Sequence, residues 1–398
     1  MNVAAAINIE DLRQRARRRL PRLMFDWIDG GAGDETALAQ SVAQFSAARL
    51  LPRYLVDISK RSLAKSLLGR DYALPFGVAP MGNAGMFWTG ADLLMAQAAQ
   101  QANAPFILSG ATIATIEEAA ATAPDHVWLQ LYPARDVAIT QDFIARAQAV
   151  GIETLVVTVD LPLPAKRERD IRNGFALPIR YDFGKVVDAA LHPAWTLQWL
   201  RAGGMPKMGA WAAYAPKGAS GEEVAAFMVS QFFPTHTWAD LDLYRRLWKG
   251  KLVVKGLQHP DDARRAVAAG CDGIIVSNHG GRQFDRAPTP LSTLPAIKAA
   301  VGDKAAVLLD GGVRRGADIV VALASGADFV FCGRAILYGV AAAGLPGAGR
   351  AFDILRDELD RTMGQIGRVR IDELNSDALQ DFVICPSALG MASVLGNS

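Results

Sequence analysis

The 398-residue sequence predicts an α/β protein built as a closed (β/α)8 TIM barrel, and three observations carry this prediction. Eight short apolar runs recur along the chain, each followed by a stretch with helical periodicity. The runs are apolar throughout rather than alternating, which is typical of parallel strands buried on both faces. Eight units in a regular strand-then-helix order favour a closed barrel over an open sheet.

The eight predicted strands follow one another at similar spacing, except after the fourth. Segments such as DLLMAQAAQQAN and DDARRAVAAG separate them and end near Asn or Gly, as helices commonly do. In chain order the strands are PFGVAP (75–80), PFILSG (105–110), HVWLQLY (126–132), TLVVTVD (154–160), KLVVKG (251–256), GIIVSN (273–278), AVLLDGG (306–312) and DFVFCGR (328–334).

We expect one domain over residues 1–398, with helices over 1–70 closing one end of the barrel and the barrel itself over 75–374. A tail over 375–398 is expected to be extended. About ninety residues, 161–250, form an insertion at the carboxyl end of the fourth strand, where barrel active sites lie. Its Trp- and Pro-rich part, LHPAWTLQWLRAGGMPKMGAWAAYAP (191–216), is either a lid over the barrel mouth or a segment for a membrane interface.

Composition excludes several classes of function. The chain has 42 basic and 40 acidic residues and no extended basic tract, so we expect no nucleic-acid partner; RQRARRR (13–19) is expected to be the solvated face of a helix. Cys271, Cys332 and Cys385 form no zinc or disulfide pattern, which fits a reducing cytosol, and no metal is expected. No uncharged run approaches the roughly 20 residues that span a bilayer, although the protein could still lie on a membrane surface.

Polar side chains stand at the carboxyl ends of six predicted strands, where a barrel builds its active site. A single buried polar residue is usually structural, but the repetition on six strands indicates a function. These residues are Gln130 and Tyr132 after the third strand, Thr158 and Asp160 after the fourth, Lys255 after the fifth, Ser277, Asn278 and His279 after the sixth, Asp310 after the seventh, and Gly333 and Arg334 after the eighth.

Two of these strand ends predict a phosphate site. DGGVRRG (310–316) and CGRA (332–335) combine glycine N–H groups with arginines, and barrels commonly bind phosphate between their last two strands. The alternative is two tight turns with exposed arginines. No GxGxxG opens a strand–helix unit, so a Rossmann-bound nicotinamide cofactor is not expected.

The stretch SNHGGRQFD (277–285) predicts proton chemistry on a small acid. Asp160 can hold His279 as a cation, an arrangement that suits a general base. The guanidinium of Arg282 can bind a substrate carboxylate with two parallel hydrogen bonds. These residues do not decide whether the proton leaves carbon or oxygen. They are also compatible with a non-redox isomerase or lyase that acts on a phosphorylated substrate.

The motifs SNHGGRQFD, LDGGVRRG, LVVKG, TVD and WLQLY resemble those of the FMN-dependent 2-hydroxy-acid oxidases and dehydrogenases, and the resemblance runs from LPRLMFDWIDGGAGDE (20–35) to residues 366–367. It implies FMN-dependent oxidation of an L-2-hydroxy acid to a 2-keto acid. It implies His279 as base, Asp160 as its partner, Arg167 and Arg282 as carboxylate anchors, and Tyr132 as a hydrogen-bonding partner of the substrate. The implied cofactor residues are Ala79, Pro80, Ser109, Gln130 and Thr158 around the isoalloxazine, Lys255 beside N1 and O2, Ser277 nearby, and Asp310, Gly312, Arg314, Gly333 and Arg334 toward the ribityl phosphate.

The sequence departs from the family at the substrate pocket. Trp27, in FDW, stands where the family usually has a tyrosine; it either donates one hydrogen bond to the substrate or packs against the lid. Gly82 and Ala111 are small, and LHPAWTLQWLR resembles the stretch found in members that oxidise mandelate. We therefore expect a bulky, mandelate-like substrate.

The resemblance also implies partners. We expect electrons to pass to a quinone, with residues 186–216 at the membrane surface; an oxidase that uses oxygen is the alternative, and a lactate dehydrogenase remains a second one. We expect a homotetramer in the cytoplasm, peripheral on the cytoplasmic membrane.

Overall fold

A computed structural model describes residues 3–175, 182–232 and 236–380 and contains a closed barrel of eight parallel strands. The strands pair in the order β10-β3-β4-β5-β6-β7-β8-β9, so consecutive strands are neighbours throughout. Each coincides with a run that the sequence predicted, β7 extending one residue beyond its run, which confirms the (β/α)8 barrel. They are β3 (Phe76–Val78), β4 (Phe106–Leu108), β5 (Val127–Leu131), β6 (Thr154–Thr158), β7 (Lys251–Leu257), β8 (Gly273–Val276), β9 (Ala306–Asp310) and β10 (Phe329–Cys332).

Helices surround the barrel and bury their apolar faces against the strands. Capping residues mark where these helices begin. Thr115 and Glu118 form a capping box at the start of α5, and Thr289 caps α13, which has Pro290 at its first position. These helices are α4 (Ala91–Gln101), α5 (Ile116–Thr122), α6 (Val137–Ala149), α12 (Pro260–Ala268), α13 (Pro290–Val301), α14 (Gly316–Ala324) and α15 (Arg334–Gln365), the last broken at Ala343 and Gly344.

The amino-terminal segment contributes three helices and one hairpin. The helices are α1 (Ile9–Arg19), α2 (Arg22–Asp29) and α3 (Thr36–Ala47); the hairpin pairs β1 (Lys65–Leu67) with β2 (Arg70–Tyr72). Leu67 and Tyr72 pack against the side chains that fill the barrel interior, so the hairpin closes the end opposite the active site. The sequence predicted only helices before residue 70. Three-residue strands around a Leu68–Gly69 turn carry too little alternation to show a strand period.

The insertion between β6 and β7 is helical: α7 (Glu168–Arg172), α8 (Phe183–Leu191), α9 (Pro193–Arg201), α10 (Gly221–Gln231) and α11 (Trp238–Leu247). Two buried indoles tie it to the barrel mouth, since Trp195 donates to the carbonyl of Met86 at 2.9 Å and Trp211 to that of Gly110 at 2.6 Å. The segment 191–216 therefore packs on the barrel as a lid does.

The structure differs in part from two smaller predictions, those for the basic cluster and for the tail. Of the basic cluster on α1, Arg17 and Arg18 are exposed, but Arg13 and Arg19 turn inward to Asp29 and to main-chain carbonyls. The extended tail predicted after residue 374 begins with one short 3-10 turn, Ser376–Ala378; the tail beyond residue 380, with Cys385, lies outside the described residues. In the described part of the chain, no helix is long and apolar enough to cross a membrane.

Candidate active site

A cavity of about 530 Å³ opens at the carboxyl ends of the barrel strands and brings most of the predicted residues together. It is lined by Trp27, Ala79, Pro80, Gly82, Ala111, Tyr132, Arg167, Lys255, His279, Arg282, Asp310, Gly312, Arg314, Gly333 and Arg334. The other predicted residues lie just behind this lining and bond to each other or to lining residues: Ser109, Gln130, Thr158, Asp160 and Ser277.

His279 and Asp160 form a close pair. Nδ1 of His279 lies 2.8 Å from Oδ1 of Asp160, which leaves Nε2 facing the cavity, 3.5 Å from the hydroxyl of Tyr132. Burial alone would raise the pKa of Asp160, but the charges of His279 and Lys255 outweigh it, so that pKa lies below its ordinary value. Asp160 therefore stays ionised and holds the imidazole in the tautomer whose Nε2 can accept a proton.

The loop that carries His279 has an unusual backbone. His279, Gly280 and Gly281 all have positive φ, at 56°, 63° and 72°. The main-chain N–H of His279 donates to the hydroxyl of Ser277 at 3.0 Å, and that of Gly281 to the side-chain oxygen of Asn278 at 3.2 Å. Non-glycine residues at positive φ are strained and tend to persist at functional sites. The two glycines are therefore required by conformation, and the histidine is held there by its surroundings.

Lys255 supplies a buried cation at the cavity floor. Its ammonium donates to Ser277 at 2.7 Å and lies 3.1 Å from Asp310, while Ser277 also bonds Asp310. Burial lowers the pKa of Lys255, but Asp310 and Asp160 outweigh this effect and the pKa is raised. The lysine is therefore charged and can stabilise negative charge on a ligand above it.

The guanidiniums of Arg167, Arg282 and Arg334 line the opposite wall of the cavity, and none of them forms a salt bridge with a described residue. Nη1 of Arg282 donates to the carbonyls of Trp27 at 2.6 Å and Gly30 at 2.8 Å, while its Nη2 is buried without a hydrogen-bond partner among the described residues. Burial and the neighbouring Arg167 and Arg334 hold the pKa of Arg282 well below its usual range. An uncompensated, buried donor of this kind is a site for an anion.

The residues of the predicted phosphate site differ in their surroundings. Gly312 and Arg314 line the cavity next to the start of α15, whose first amides have no partner within the helix. Arg315 instead lies outside and pairs with Glu358 at 3.1 Å. Each side-chain nitrogen of Arg334 donates to a main-chain carbonyl, those of Ile28, Gly280 and Gly30, which uses three of its five N–H groups.

A buried chain of polar side chains borders the cavity between β4 and β6. The hydroxyl of Ser109 donates to the amide oxygen of Gln130 at 3.1 Å, and the amide nitrogen of Gln130 donates to Thr158 at 2.8 Å. Burial raises the pKa of the neighbouring Tyr132, which keeps its hydroxyl protonated. This edge offers both donors and acceptors to a polar ring.

The apolar wall of the cavity was not found from the sequence. It comes largely from the insertion, and nothing in its residue types signals a site: Leu161, Leu163, Ile171, Phe175, Met228 and Phe232. Trp27 belongs to the same wall, with its ring centroid 5.3 Å from Phe87 and 6.2 Å from Phe175, and the guanidinium of Arg282 lies 4.5 Å over it. Only the position of the insertion, at a strand's carboxyl end, could have pointed to these residues.

The donor set fits FMN, as the resemblance implied. The polar chain of Ser109, Gln130 and Thr158 suits the edge of a flat heterocycle, and Lys255 supplies a cation beside it. The glycines after β9 and the start of α15 suit a phosphate at the far end. Fold and site together define a barrel oxidoreductase of the flavin type.

Comparison with known proteins makes this assignment specific. Residues 16–381 match the family model described as FMN-dependent dehydrogenase, so the chain belongs to that family, and FMN is its cofactor. The non-redox isomerase or lyase considered above is thereby set aside.

The similar proteins share the whole architecture. The chain is 41% identical to an (S)-mandelate dehydrogenase of Pseudomonas putida, over 94% of each chain, and 40% identical to an L-lactate dehydrogenase of Xanthobacter autotrophicus, over 93% of this chain and 95% of the relative. Among solved structures, the monotopic membrane protein (S)-mandelate dehydrogenase superposes with a TM-score of 0.91 at 40% identity, over 95% of this chain and 100% of that one. Mandelate oxidase superposes with a TM-score of 0.80 at 33% identity, over 94% and 98%.

Proposed function

We propose that this protein oxidises an L-2-hydroxy acid to the 2-keto acid, with His279 as the base. The observation that carries the proposal is the juxtaposition, in one cavity, of the His279–Asp160 pair with the buried guanidinium of Arg282, whose Nη2 has no hydrogen-bond partner among the described residues. A base beside a carboxylate anchor suits a small hydroxy acid. The relatives are mandelate and lactate dehydrogenases, which agrees with this substrate class.

Each side chain has one task in this reaction. Arg282 and Arg167 bind the substrate carboxylate, and the hydroxyl of Tyr132 hydrogen-bonds the substrate. His279 accepts one proton at Nε2, either from the 2-carbon in a carbanion route or from the hydroxyl in a hydride route. FMN, when bound, accepts the two electrons that leave the substrate. Lys255 provides positive charge at the cavity floor, where negative charge develops.

The walls of the cavity favour a bulky side chain on the substrate. Gly82 and Ala111 face each other, and a Cβ added to Gly82 would lie 2.9 Å from that of Ala111. Both small residues line the cavity together with the apolar side chains of the insertion. An aromatic 2-hydroxy acid such as mandelate fills this space and buries its ring, whereas glycolate leaves it empty.

Anaerobic titration of the purified holoenzyme with a panel of 2-hydroxy acids tests this function. We expect (S)-mandelate to bleach the flavin absorption band and lactate and glycolate to do so poorly. Bleaching by none of the acids would contradict the substrate class. The His279→Ala variant should lose bleaching while retaining FMN, and near-normal bleaching would remove His279 from the role of base.

We further propose that the enzyme attaches to the cytoplasmic membrane through the insertion and passes electrons to a quinone. Helices α8 and α9 expose a series of large apolar side chains: Phe183, Val186, Val187, Leu191, Leu197 and Leu200. An exposed apolar helical face of this kind suits the headgroup boundary of a bilayer. An oxidase that uses oxygen would share the same catalytic residues, and mandelate oxidase is among the structural neighbours.

Two measurements test the membrane proposal. Cosedimentation with anionic phospholipid vesicles should fall in a Leu197→Gln, Leu200→Gln variant and persist in Ile7→Gln, an exposed apolar residue outside the two helices. Reoxidation of the substrate-reduced enzyme should be faster with a soluble quinone analogue than with air. Faster reoxidation by air would favour the oxidase.

The homotetramer also remains our proposal. The segment 51–56 exposes Leu51, Tyr54 and Leu55, a run of large side chains that a second copy could cover. Analytical ultracentrifugation should show a tetramer, and Leu55→Asp should shift it to smaller species. A monomeric parent protein would contradict the assembly.

A further inference from the structure

The carboxyl end of α2 holds two active-site arginines through its main chain. The carbonyl of Gly30 accepts from Nη2 of Arg334 and from Nη1 of Arg282, both at 2.8 Å. The carbonyl of Trp27 accepts from Arg282 at 2.6 Å, and that of Ile28 from Arg334 at 2.9 Å. In the described part of the chain, neither guanidinium has a carboxylate within salt-bridge distance.

This arrangement leaves most of the charge on Arg282 available. The end of a helix carries about half a unit of negative charge, spread over its last carbonyls, whereas a carboxylate carries a full unit. The carbonyls therefore orient the guanidinium without neutralising it. A substrate carboxylate can bind Arg282 without displacing a protein carboxylate first.

Asp29, the last residue of α2, fixes this helix end in place. Its carboxylate accepts from Nε and Nη2 of Arg13 at 2.6 and 2.8 Å, from the hydroxyl of Tyr338 at 2.7 Å, and from Arg169 at 3.2 Å. The three partners lie on α1, α15 and α7, so three elements converge on one side chain. Burial would raise the pKa of Asp29, but Arg13 and Tyr338 outweigh it and hold the pKa far below its ordinary value.

We propose that Asp29 is a positioning residue for the substrate anchor: it fixes the end of α2, whose carbonyls aim Arg282 at the substrate carboxylate. Asp29 is not among the residues that line the cavity. It acts through the main chain of Trp27 and Gly30, on either side of it in sequence. The inference rests on the proposed function, in that Arg282 is taken as the carboxylate anchor.

The test measures binding of a carboxylate directly. Benzoylformate, the 2-keto acid formed from mandelate, is titrated calorimetrically into holoenzyme of known FMN content. In Asp29→Asn, we expect its dissociation constant to rise by about tenfold, less than the roughly hundredfold that a 1 Å misplacement can cost. The KM for the hydroxy acid should rise with it, while kcat changes much less.

Two further variants keep the test decisive. Tyr338→Phe removes one donor and leaves the carboxylate, so it should weaken benzoylformate binding in the same direction but less. Glu10→Gln removes the other carboxylate partner of Arg13, at 2.9 Å, and should leave binding unchanged. This control separates the position of the α2 end from a general effect on α1.

The outcomes divide cleanly. A lower Tm in Asp29→Asn with unchanged benzoylformate affinity would make Asp29 merely structural and overturn the proposal. If that variant does not fold, unchanged affinity in Tyr338→Phe overturns it instead. Benzoylformate binding without flavin bleaching by any hydroxy acid would refute the proposed function, while the affinity ratio would still decide the role of Asp29. A parent enzyme that binds no benzoylformate and whose flavin is bleached by no hydroxy acid would overturn both.

Discussion

Replacing Asp160 by asparagine tests the electrostatic design of the site. The substitution keeps the shape of the side chain and an oxygen that can accept from Nδ1 of His279, now 2.8 Å away. It removes one unit of negative charge beside the imidazole. It also removes the more distant of the two carboxylates near Lys255, at 4.0 Å, while Asp310 remains at 3.1 Å. The lysine should therefore stay charged.

The geometry sets the size of the expected effect. Two unit charges 2.8 Å apart attract by about 6 kcal/mol at an effective dielectric constant of about 20. The asparagine retains a neutral hydrogen bond to the imidazole, so the loss is smaller than this attraction. A hydrogen bond to a charged group contributes about 1.5–3 kcal/mol. We therefore expect a loss of about 3 kcal/mol when His279 becomes protonated, which slows the chemical step by roughly a hundredfold.

The assay is the rate of flavin reduction at saturating substrate, followed anaerobically by rapid mixing. Asp272→Asn is the matched control, because Asp272 stands at the opposite end of the barrel, where it accepts from the N–H of Leu252 at 2.9 Å and pairs with Arg245 at 3.2 Å. It should lower the free energy of unfolding and leave the reduction rate intact. A reduction rate in Asp160→Asn equal to that of the parent would refute the reasoning.

Two predictions concern stability, and chemical denaturation checks both. Gly281→Ala should cost about 3 kcal/mol or more, because its Cβ would lie 2.5 Å from the nitrogen of Leu38 at positive φ; Gly90→Ala, in the left-handed region but in open space, should cost only about 1–2 kcal/mol, and equal costs would contradict the steric argument. Burial raises the pKa of Asp92 to about 6, above its unfolded value, so its ionisation destabilises the fold as pH rises from about 4 through 6. Asp92→Asn should therefore stabilise the protein at pH 7.5 by up to about 3 kcal/mol and flatten its pH dependence, and an unchanged profile would contradict this.

Much of the fold and the site follows from local patterns in the sequence. Fully apolar runs predict buried parallel strands, and their carboxyl ends meet at one face, so His279 and Asp160 could be paired although 119 residues separate them. The cavity does gather these residues, while the catalytic and binding roles assigned to them stay predictions. The roles depend on chemistry that a residue type only suggests.

The features that escaped prediction are those without a distinctive side chain. The carbonyls of Trp27, Ile28 and Gly30 hold two arginines, yet every residue has a carbonyl, and only the position of the helix end selects these. Arg334 was assigned to a phosphate by its neighbours in sequence, but its side-chain nitrogens donate to carbonyls. Long-range main-chain contacts of this kind are set by tertiary packing and leave no period in the sequence.

The shared carbonyl of Gly30 has a thermodynamic consequence. One oxygen atom accepts from Arg282, the proposed carboxylate anchor, and from Arg334, the first residue of α15, which begins at the predicted phosphate site. Whatever shifts one guanidinium alters the hydrogen bond available to the other, so the two sites are energetically linked. Linkage is reciprocal: the factor by which FMN strengthens binding of a 2-keto acid is the factor by which that acid strengthens binding of FMN. A product-like acid that binds the holoenzyme more tightly than the FMN-free protein should therefore protect the holoenzyme from cofactor loss during dialysis.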